Sequence, residues 1–161
     1  MAWALVIFAF SGCASAVIPP SGRPEASTGA LLDPAVAREH AALDIRAWRF
    51  GIAKEELERV LAATPNDPVA HLYCGDLYRL QAQHTARPED RAPLLEQARQ
   101  AYERAAALDP AYPDPLRQLG LLYYQSRDTE KAKDAFRRYL ALKPDAPDAR
   151  RVREYLDALD R

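Results

Sequence analysis

Apolar residues recur every three or four positions along most of the chain, which is the spacing of one face of an α-helix. Near the C-terminus, Val152, Tyr155, Leu156 and Leu159 fall on one such stripe, and charged residues occupy most positions between them. From Asp33 to the end the chain has 24 Ala and 17 Leu but only 9 β-branched residues. Because Ala and Leu favour helices and strands favour β-branched residues, the pattern predicts an all-α fold.

A Pro-x-x-Pro pattern marks an internal repeat. It occurs at Pro65/Pro68, Pro110/Pro113 and Pro144/Pro147. The shift that superimposes Pro110 on Pro144 also superimposes Ala98 on Ala132, Tyr102 on Phe136 and Leu108 on Leu142. A shift of 45 positions superimposes Gly75 on Gly120. The chain therefore contains a 34-residue repeat, and one copy carries an 11-residue insertion.

The residue types in this repeat suit a pair of packed helices. Small residues let two helices approach closely, bulky residues fill the space beside them, and Pro ends the second helix. A 34-residue period with this pattern resembles the tetratricopeptide repeat, a helix-turn-helix unit. In the last full repeat the matching residues are Leu116, Leu119, Gly120, Tyr123, Ala132, Phe136 and Pro144.

The resemblance implies a short right-handed superhelical stack of such repeats with a C-terminal capping helix. We expect a degenerate helix pair over 33–66, a repeat with an insertion over 67–112, a second repeat over 113–146 and the cap over 147–161. The insertion falls at about 81–94, where it either lengthens both helices or forms a projecting loop. Cys74 falls at a core position, so we interpret it as a small buried side chain.

The helix predicted from Pro34 to Phe50 aligns poorly with the repeat, and Gly51 is expected to make a tight turn after it. Its apolar or bulky residues are Val36, His40, Leu43, Ala47 and Phe50.

The N-terminal segment has the features of an export signal. Residues 1–18 carry no charge, and the first ten are all apolar, a length that suits a secretory leader better than a membrane span. Phe10-Ser11-Gly12-Cys13 resembles the bacterial lipobox. The resemblance implies a signal peptide over 1–12 and a lipid on Cys13. The alternative is an uncleaved anchor helix from Ala2 to Ile18.

Residues 13–32 are expected to form a flexible tether because they are rich in Pro, Ser, Gly and Ala. With a lipidated Cys13, the resemblance places the protein in the bacterial cell envelope, at the outer membrane and facing the periplasm. The membrane is then one partner, reached through the lipid.

Charge and motifs argue against other functions. The formal net charge of −1 disfavours nucleic-acid binding. The three histidines, His40, His71 and His84, lie too far apart in sequence to suggest a metal site, and no phosphate-binding loop or nucleophile motif is present. We therefore expect no enzymatic activity, no cofactor, no metal and no small-molecule substrate.

The remaining possibility is a surface that binds another polypeptide. In the tetratricopeptide family, the first helix of each repeat lines a concave groove for a peptide or a helix. Carried over by position, the groove residues are Leu72, Asp76, Arg79, Arg117, Leu121 and Tyr124. Leu72 and Asp76 stand where some members have a Lys and Asn clamp for a C-terminal carboxylate, so a different ligand is expected.

The sequence therefore predicts a membrane-anchored adaptor or assembly factor that binds protein partners of the envelope. The alternative is a constitutive structural subunit of one dedicated envelope complex, for secretion, pilus or cell-wall machinery.

Overall fold

The computed structural model describes residues 33–161, which form seven α-helices and no strand. The all-α prediction is confirmed. The helices are α1 (Pro34–Arg46), α2 (Phe50–Ala63), α3 (Pro68–His84), α4 (Pro88–Leu108), α5 (Pro113–Ser126), α6 (Thr129–Leu142) and α7 (Ala149–Leu159). Within this part of the chain, no helix is both long enough and apolar enough to span a bilayer.

Helices α1 and α3 begin in the same way. The side chains of Asp33 and Asp67 accept hydrogen bonds from backbone N–H groups of the first turn, and a proline follows each of them. These two helix starts are separated by one period of the repeat, and Ala41, which is fully buried, occupies the position of Gly75. The first helix is therefore in register with the repeat, contrary to the expectation that it aligns poorly.

Successive helices form antiparallel pairs, α1 with α2, α3 with α4 and α5 with α6, and each pair packs against the next element. Two apolar clusters hold them together. One lies among α1, α2 and α3 and includes Ile45, Leu57 and Leu77. The other extends from α3 to α7 and is centred on Tyr102 and Phe136.

Two glycines set the distance between paired helices. A Cβ atom added to Gly75 would lie 2.8 Å from Cζ of Tyr102 and closer still to two other atoms of that ring. A Cβ on Gly120 would lie 3.0 Å from Cγ of Phe136, again with two closer ring atoms. Both rings are fully buried, so they have little freedom to move aside. The expectation that small residues permit close approach is confirmed at these positions.

The insertion lengthens the second helix pair. Helices α3 and α4 have 17 and 21 residues, whereas α5 and α6 have 14 each. Residues 85–87 make the turn between α3 and α4, and Pro93 lies inside α4. Of the two arrangements that the sequence allowed, the structure has the longer helices.

Two of the turns within pairs use a left-handed residue that is not glycine. Trp48 has φ 61° and Arg127 has φ 62°. After Trp48, the N–H of Arg49 donates to the carbonyl of Asp44, which is the hydrogen bond of a Schellman motif. The first turn therefore lies at Trp48, and Gly51, expected to form it, is inside α2.

Helix α1 directs its apolar stripe outward. Ala41 and Ile45 are buried against the neighbouring helices, whereas the side chains of Val36 and Leu43 are 42% and 56% exposed. The inward positions of α1 are thus taken by Ala41 and Ile45, which leaves Val36 and Leu43 outside. Phe50, expected on this helix, instead begins α2 and packs against the same cluster.

Helix α7 covers the end of the stack. Val152 is buried in the larger cluster, and the Tyr155 ring stacks on the Phe136 ring with centroids 5.6 Å apart. Lys133 of α6 pairs with Asp160 at 2.7 Å, directly after the end of α7.

We predict that Gly120→Ala destabilises the protein, although alanine is the better helix former. The new methyl group would overlap the buried Phe136 ring, so we expect a loss of about 2 kcal/mol in the free energy of unfolding. Urea denaturation followed by circular dichroism measures it.

Gly51→Ala is the matched control, because a Cβ there has no atom within 4 Å. This variant should be as stable as the wild type or more stable by up to about 1 kcal/mol. Equal stabilisation by both variants would contradict the close helix contact at Gly120.

Candidate partner-binding site

The six residues predicted to bind a partner lie on α3 and α5. We give the name A-helix face to the exposed sides of α1, α3 and α5, the first helix of each pair. Leu121 and Tyr124 are half-buried and pack against the larger apolar cluster. Leu72 is only 5% exposed, so it supports this face from below and offers a partner little surface.

Asp76 and Arg79 belong to one hydrogen-bonded group. The Tyr102 hydroxyl donates to Oδ1 of Asp76 at 2.7 Å, and Nε of Arg79 donates to the Tyr102 oxygen at 3.3 Å. Arg79 also lies 3.6 Å from the Asp76 carboxylate. Burial, followed by the negative charge of Asp76, raises the pKa of Tyr102 well above its usual range. The charge of Arg79 is therefore largely balanced within the chain.

Arg117 binds the capping region. It forms an ion pair with Asp148, whose Oδ1 also accepts a 2.6 Å hydrogen bond from the Tyr139 hydroxyl. Burial alone would raise the pKa of Asp148, but the hydrogen bonds from Tyr139 and Arg117 outweigh it, and the pKa is lowered. Burial and the bond to Asp148 raise the pKa of Tyr139 to about 12. The three side chains therefore tie α5 and α6 to the start of α7.

Three further residues of this region, Arg38, Tyr73 and Tyr112, were not predicted from the sequence. Arg38 of α1 forms an ion pair with Asp67, and the Tyr73 hydroxyl donates to Glu39 at 3.3 Å. Burial, followed by the charge of Asp114, raises the pKa of Tyr112 above its usual range. Arg38 has the same position in its repeat as Leu72, so the repeat register would have placed it on the A-helix face.

Half-buried tyrosines are the most prominent uncharged groups here. They lie on α3, in the turn before α5, on α5 and on α7, and all pack against the larger cluster. The rings of Tyr124 and Tyr155 approach with centroids 4.9 Å apart. The four residues are Tyr73, Tyr112, Tyr124 and Tyr155. Rings held in this way present flat surface at little entropic cost, which is a property of residues that anchor interfaces.

The cysteine and two of the histidines make contacts within the fold. Burial raises the pKa of the Cys74 thiol to about 11, so the thiolate form that reacts is scarce at neutral pH. His71 bonds through Nε2 to the Pro65 carbonyl at 2.9 Å, and the His84 ring contacts the Trp48 ring with centroids 3.8 Å apart. Between residues 33 and 161, no three His, Cys, Asp or Glu side chains gather as metal ligands would.

The predicted lipid-attachment residue Cys13 lies outside the described residues. The same is true of the predicted signal peptide over 1–12 and of the predicted tether over 13–32.

Part of the chain matches a known protein family. Residues 83–157, which are fewer than half of the chain, match the family model described as tetratricopeptide repeat. A comparison with curated proteins gave no match.

Solved structures with the same architecture include a thermophilic TPR protein of Thermus thermophilus. It is 24% identical with a TM-score of 0.67, and the match covers 79% of this chain and 63% of that one. Another is the first TPR of Spaghetti (RPAP3) bound to the HSP90 peptide SRMEEVD. It is 20% identical with a TM-score of 0.64, and 80% of this chain and 96% of that one are covered. The chain therefore has the tetratricopeptide-repeat fold.

We predict that Asp148→Asn weakens the attachment of α7 and changes the response to acid. Because the pKa of Asp148 is lowered in the fold, its carboxylate stabilises the folded state at pH values above the unfolded pKa of about 3.9. This contribution is lost as the pH falls through the pKa of the folded state. The variant should lose about 1 kcal/mol near pH 7 and should lose less than the wild type on acidification. Urea denaturation at a series of pH values measures both effects.

Asp157→Asn is the control, because it removes an exposed carboxylate from the same helix. It should change the free energy of unfolding at pH 7 by less than about 0.5 kcal/mol. Identical pH profiles for the two variants would argue against the Arg117, Tyr139 and Asp148 group.

Proposed function

We propose that this protein is a membrane-anchored adaptor of the bacterial cell envelope that binds a segment of another protein on its A-helix face. The observation that carries the proposal is the set of half-buried tyrosines on and beside that face. Tyrosine combines a large apolar ring with a hydroxyl that can form hydrogen bonds, and it is enriched in protein interfaces. The RPAP3 repeat, bound to an HSP90 peptide, provides a precedent for a peptide ligand on this fold.

The charges on this face indicate what kind of segment fits. Arg38, Arg79 and Arg117 each pair with an aspartate of the same chain. A highly acidic tail would have to compete with those aspartates, which reduces the gain from binding it. An amphipathic segment suits the surface better, since its apolar side can contact the rings while its polar side meets the tyrosine hydroxyls.

Anchoring at the membrane is the second part of the proposal. It rests on the similarity of residues 10–13 to a lipobox and on the apolar segment before them. More than one acyl chain on Cys13 would hold the protein durably at a bilayer, whereas a single chain gives reversible binding. The tether would let the repeats reach partners from the outer membrane, on its periplasmic side.

A constitutive structural subunit of one envelope complex is the second candidate. The exposed Val36 and Leu43 on α1 favour it, because such groups are often covered in permanent assemblies. The two functions differ in how the partner dissociates. An adaptor exchanges partners, while a permanent subunit purifies with a fixed set of them.

Crosslinking and affinity capture from native membranes test the adaptor function. We predict that Tyr124→Ala and Arg117→Glu each recover at least tenfold less of the partners captured by the wild type. The first removes a ring from the A-helix face. The second places a like charge beside Asp148, which should loosen α7 and the Tyr155 ring that it carries. Quantitative mass spectrometry of the captured proteins measures this loss.

Arg138→Glu is the matched charge reversal, since Arg138 is exposed on α6, away from the A-helix face. It should capture the same partners as the wild type. Circular dichroism of each variant establishes that it is folded. If folded Tyr124→Ala and Arg117→Glu captured the wild-type set undiminished, partner binding on this face would be ruled out.

Lipidation has a direct chemical test. We predict that the mature wild-type protein begins at Cys13 and carries acyl chains there, which mass spectrometry of the N-terminal peptide detects. Cys13→Ser should abolish this acylation, because the serine side chain lacks the thiol that receives the lipid. Cys74→Ser is the control and should stay acylated, because Cys13 is intact in this variant and Cys74 packs among α1, α2 and α3. An unmodified Cys13 in mature protein would disprove the anchor.

A further inference from the structure

Helix α1 carries a stripe of residues that no other element between residues 33 and 161 covers. Val36, His40, Leu43 and Ala47 follow one another at four- and three-residue spacing, so they lie on one side of the helix. All four are exposed, and Leu43 is the most exposed large apolar residue between residues 33 and 161. We refer to them as the α1 stripe.

Helix α7, at the other end of the described stack, has a different outer face. The outward positions of α7 are charged and include Arg150, Arg151, Glu154 and Asp157, all exposed. Terminal repeats need such a polar outer face to remain in water. On α1 the outer positions include the exposed Val36 and Leu43 instead of charged residues. Exposed apolar groups of this kind are better explained by a second surface that covers them.

Two opposite charges flank the α1 stripe on the same side. Glu39 and Arg46 are separated by close to two helical turns. Arg46 has no ion-pair partner within residues 33–161, and Glu39 accepts only a 3.3 Å hydrogen bond from Tyr73 there. Both side chains are exposed.

This arrangement is complementary to itself. If two copies of α1 lie antiparallel across a two-fold axis near Leu43, Glu39 of each copy comes opposite Arg46 of the other. The same axis brings the two Leu43 side chains together. Each contact then occurs twice, as a two-fold interface requires.

We propose that the α1 stripe is covered by a second copy of this chain, with α1 packed antiparallel on α1 and two Glu39–Arg46 pairs between the copies. One helix face is small compared with the area that a stable interface buries, so the dimer is reversible and depends on concentration. A bilayer fits the stripe less well, because Glu39 and Arg46 cancel and leave no excess positive charge to attract anionic lipid.

Charge reversal at the two positions tests the proposal on the full chain in detergent. Sedimentation velocity over a concentration series should show a reversible dimer for the wild type. Glu39→Arg and Arg46→Glu should each weaken dimerisation by about tenfold or more, because each places like charges opposite one another twice. An equimolar mixture of the two variants should regain the dimer, since all facing charges in the mixed pair are then opposite.

Further measurements make the outcome decisive. Leu43→Glu should be monomeric, and circular dichroism should show every variant folded, as all three positions are exposed. A wild type that stays monomeric throughout, or a mixture no more dimeric than its components, would overturn the proposal. It would also fail if Leu43→Glu weakened binding to vesicles of phosphatidylethanolamine and phosphatidylglycerol while both charge variants dimerised like the wild type, since the stripe would then contact lipid.

Discussion

The fold depends on how closely the two helices of a pair approach each other. Gly75 and Gly120 have no side chain, so the rings of Tyr102 and Phe136 lie directly against the backbone of the preceding helix. Those rings are fully buried and form the centre of the larger apolar cluster. Because the cluster extends from α3 to α7, the spacing at the two glycines also determines where the A-helix face and the capping helix lie.

The same packing limits the chemistry of the A-helix face. The Tyr102 ring that lies against Gly75 places its hydroxyl beside Asp76, which in turn lies near Arg79. Polar groups that could bind a ligand are thus partly used to hold neighbouring helices together. What the face offers a partner is mainly aromatic surface, and such surface recognises shape and apolar contact more than charge.

The sequence predicted the repeat and its key glycines well, since two simple shifts superimpose whole sets of residues. It was less informative where tertiary contacts decide the outcome. The apolar residues of α1 did not indicate that Val36 and Leu43 face outward. A stripe of bulky apolar residues normally marks the buried side of a helix, whereas in α1 the buried side includes the small Ala41. Nor could spacing reveal that Arg117 pairs with Asp148, since that contact depends on where α7 docks.

A double-mutant cycle between Gly120 and Phe136 tests the central claim most directly. If the methyl group of Gly120→Ala is unfavourable because it meets the Phe136 ring, then Phe136→Leu should relieve it. The free energy of unfolding, measured in urea, should fall less in the double variant than the sum of the losses in the two single variants. We expect the difference to be about 1 kcal/mol or more. Strictly additive losses would show that the two positions do not interact, which contradicts the account.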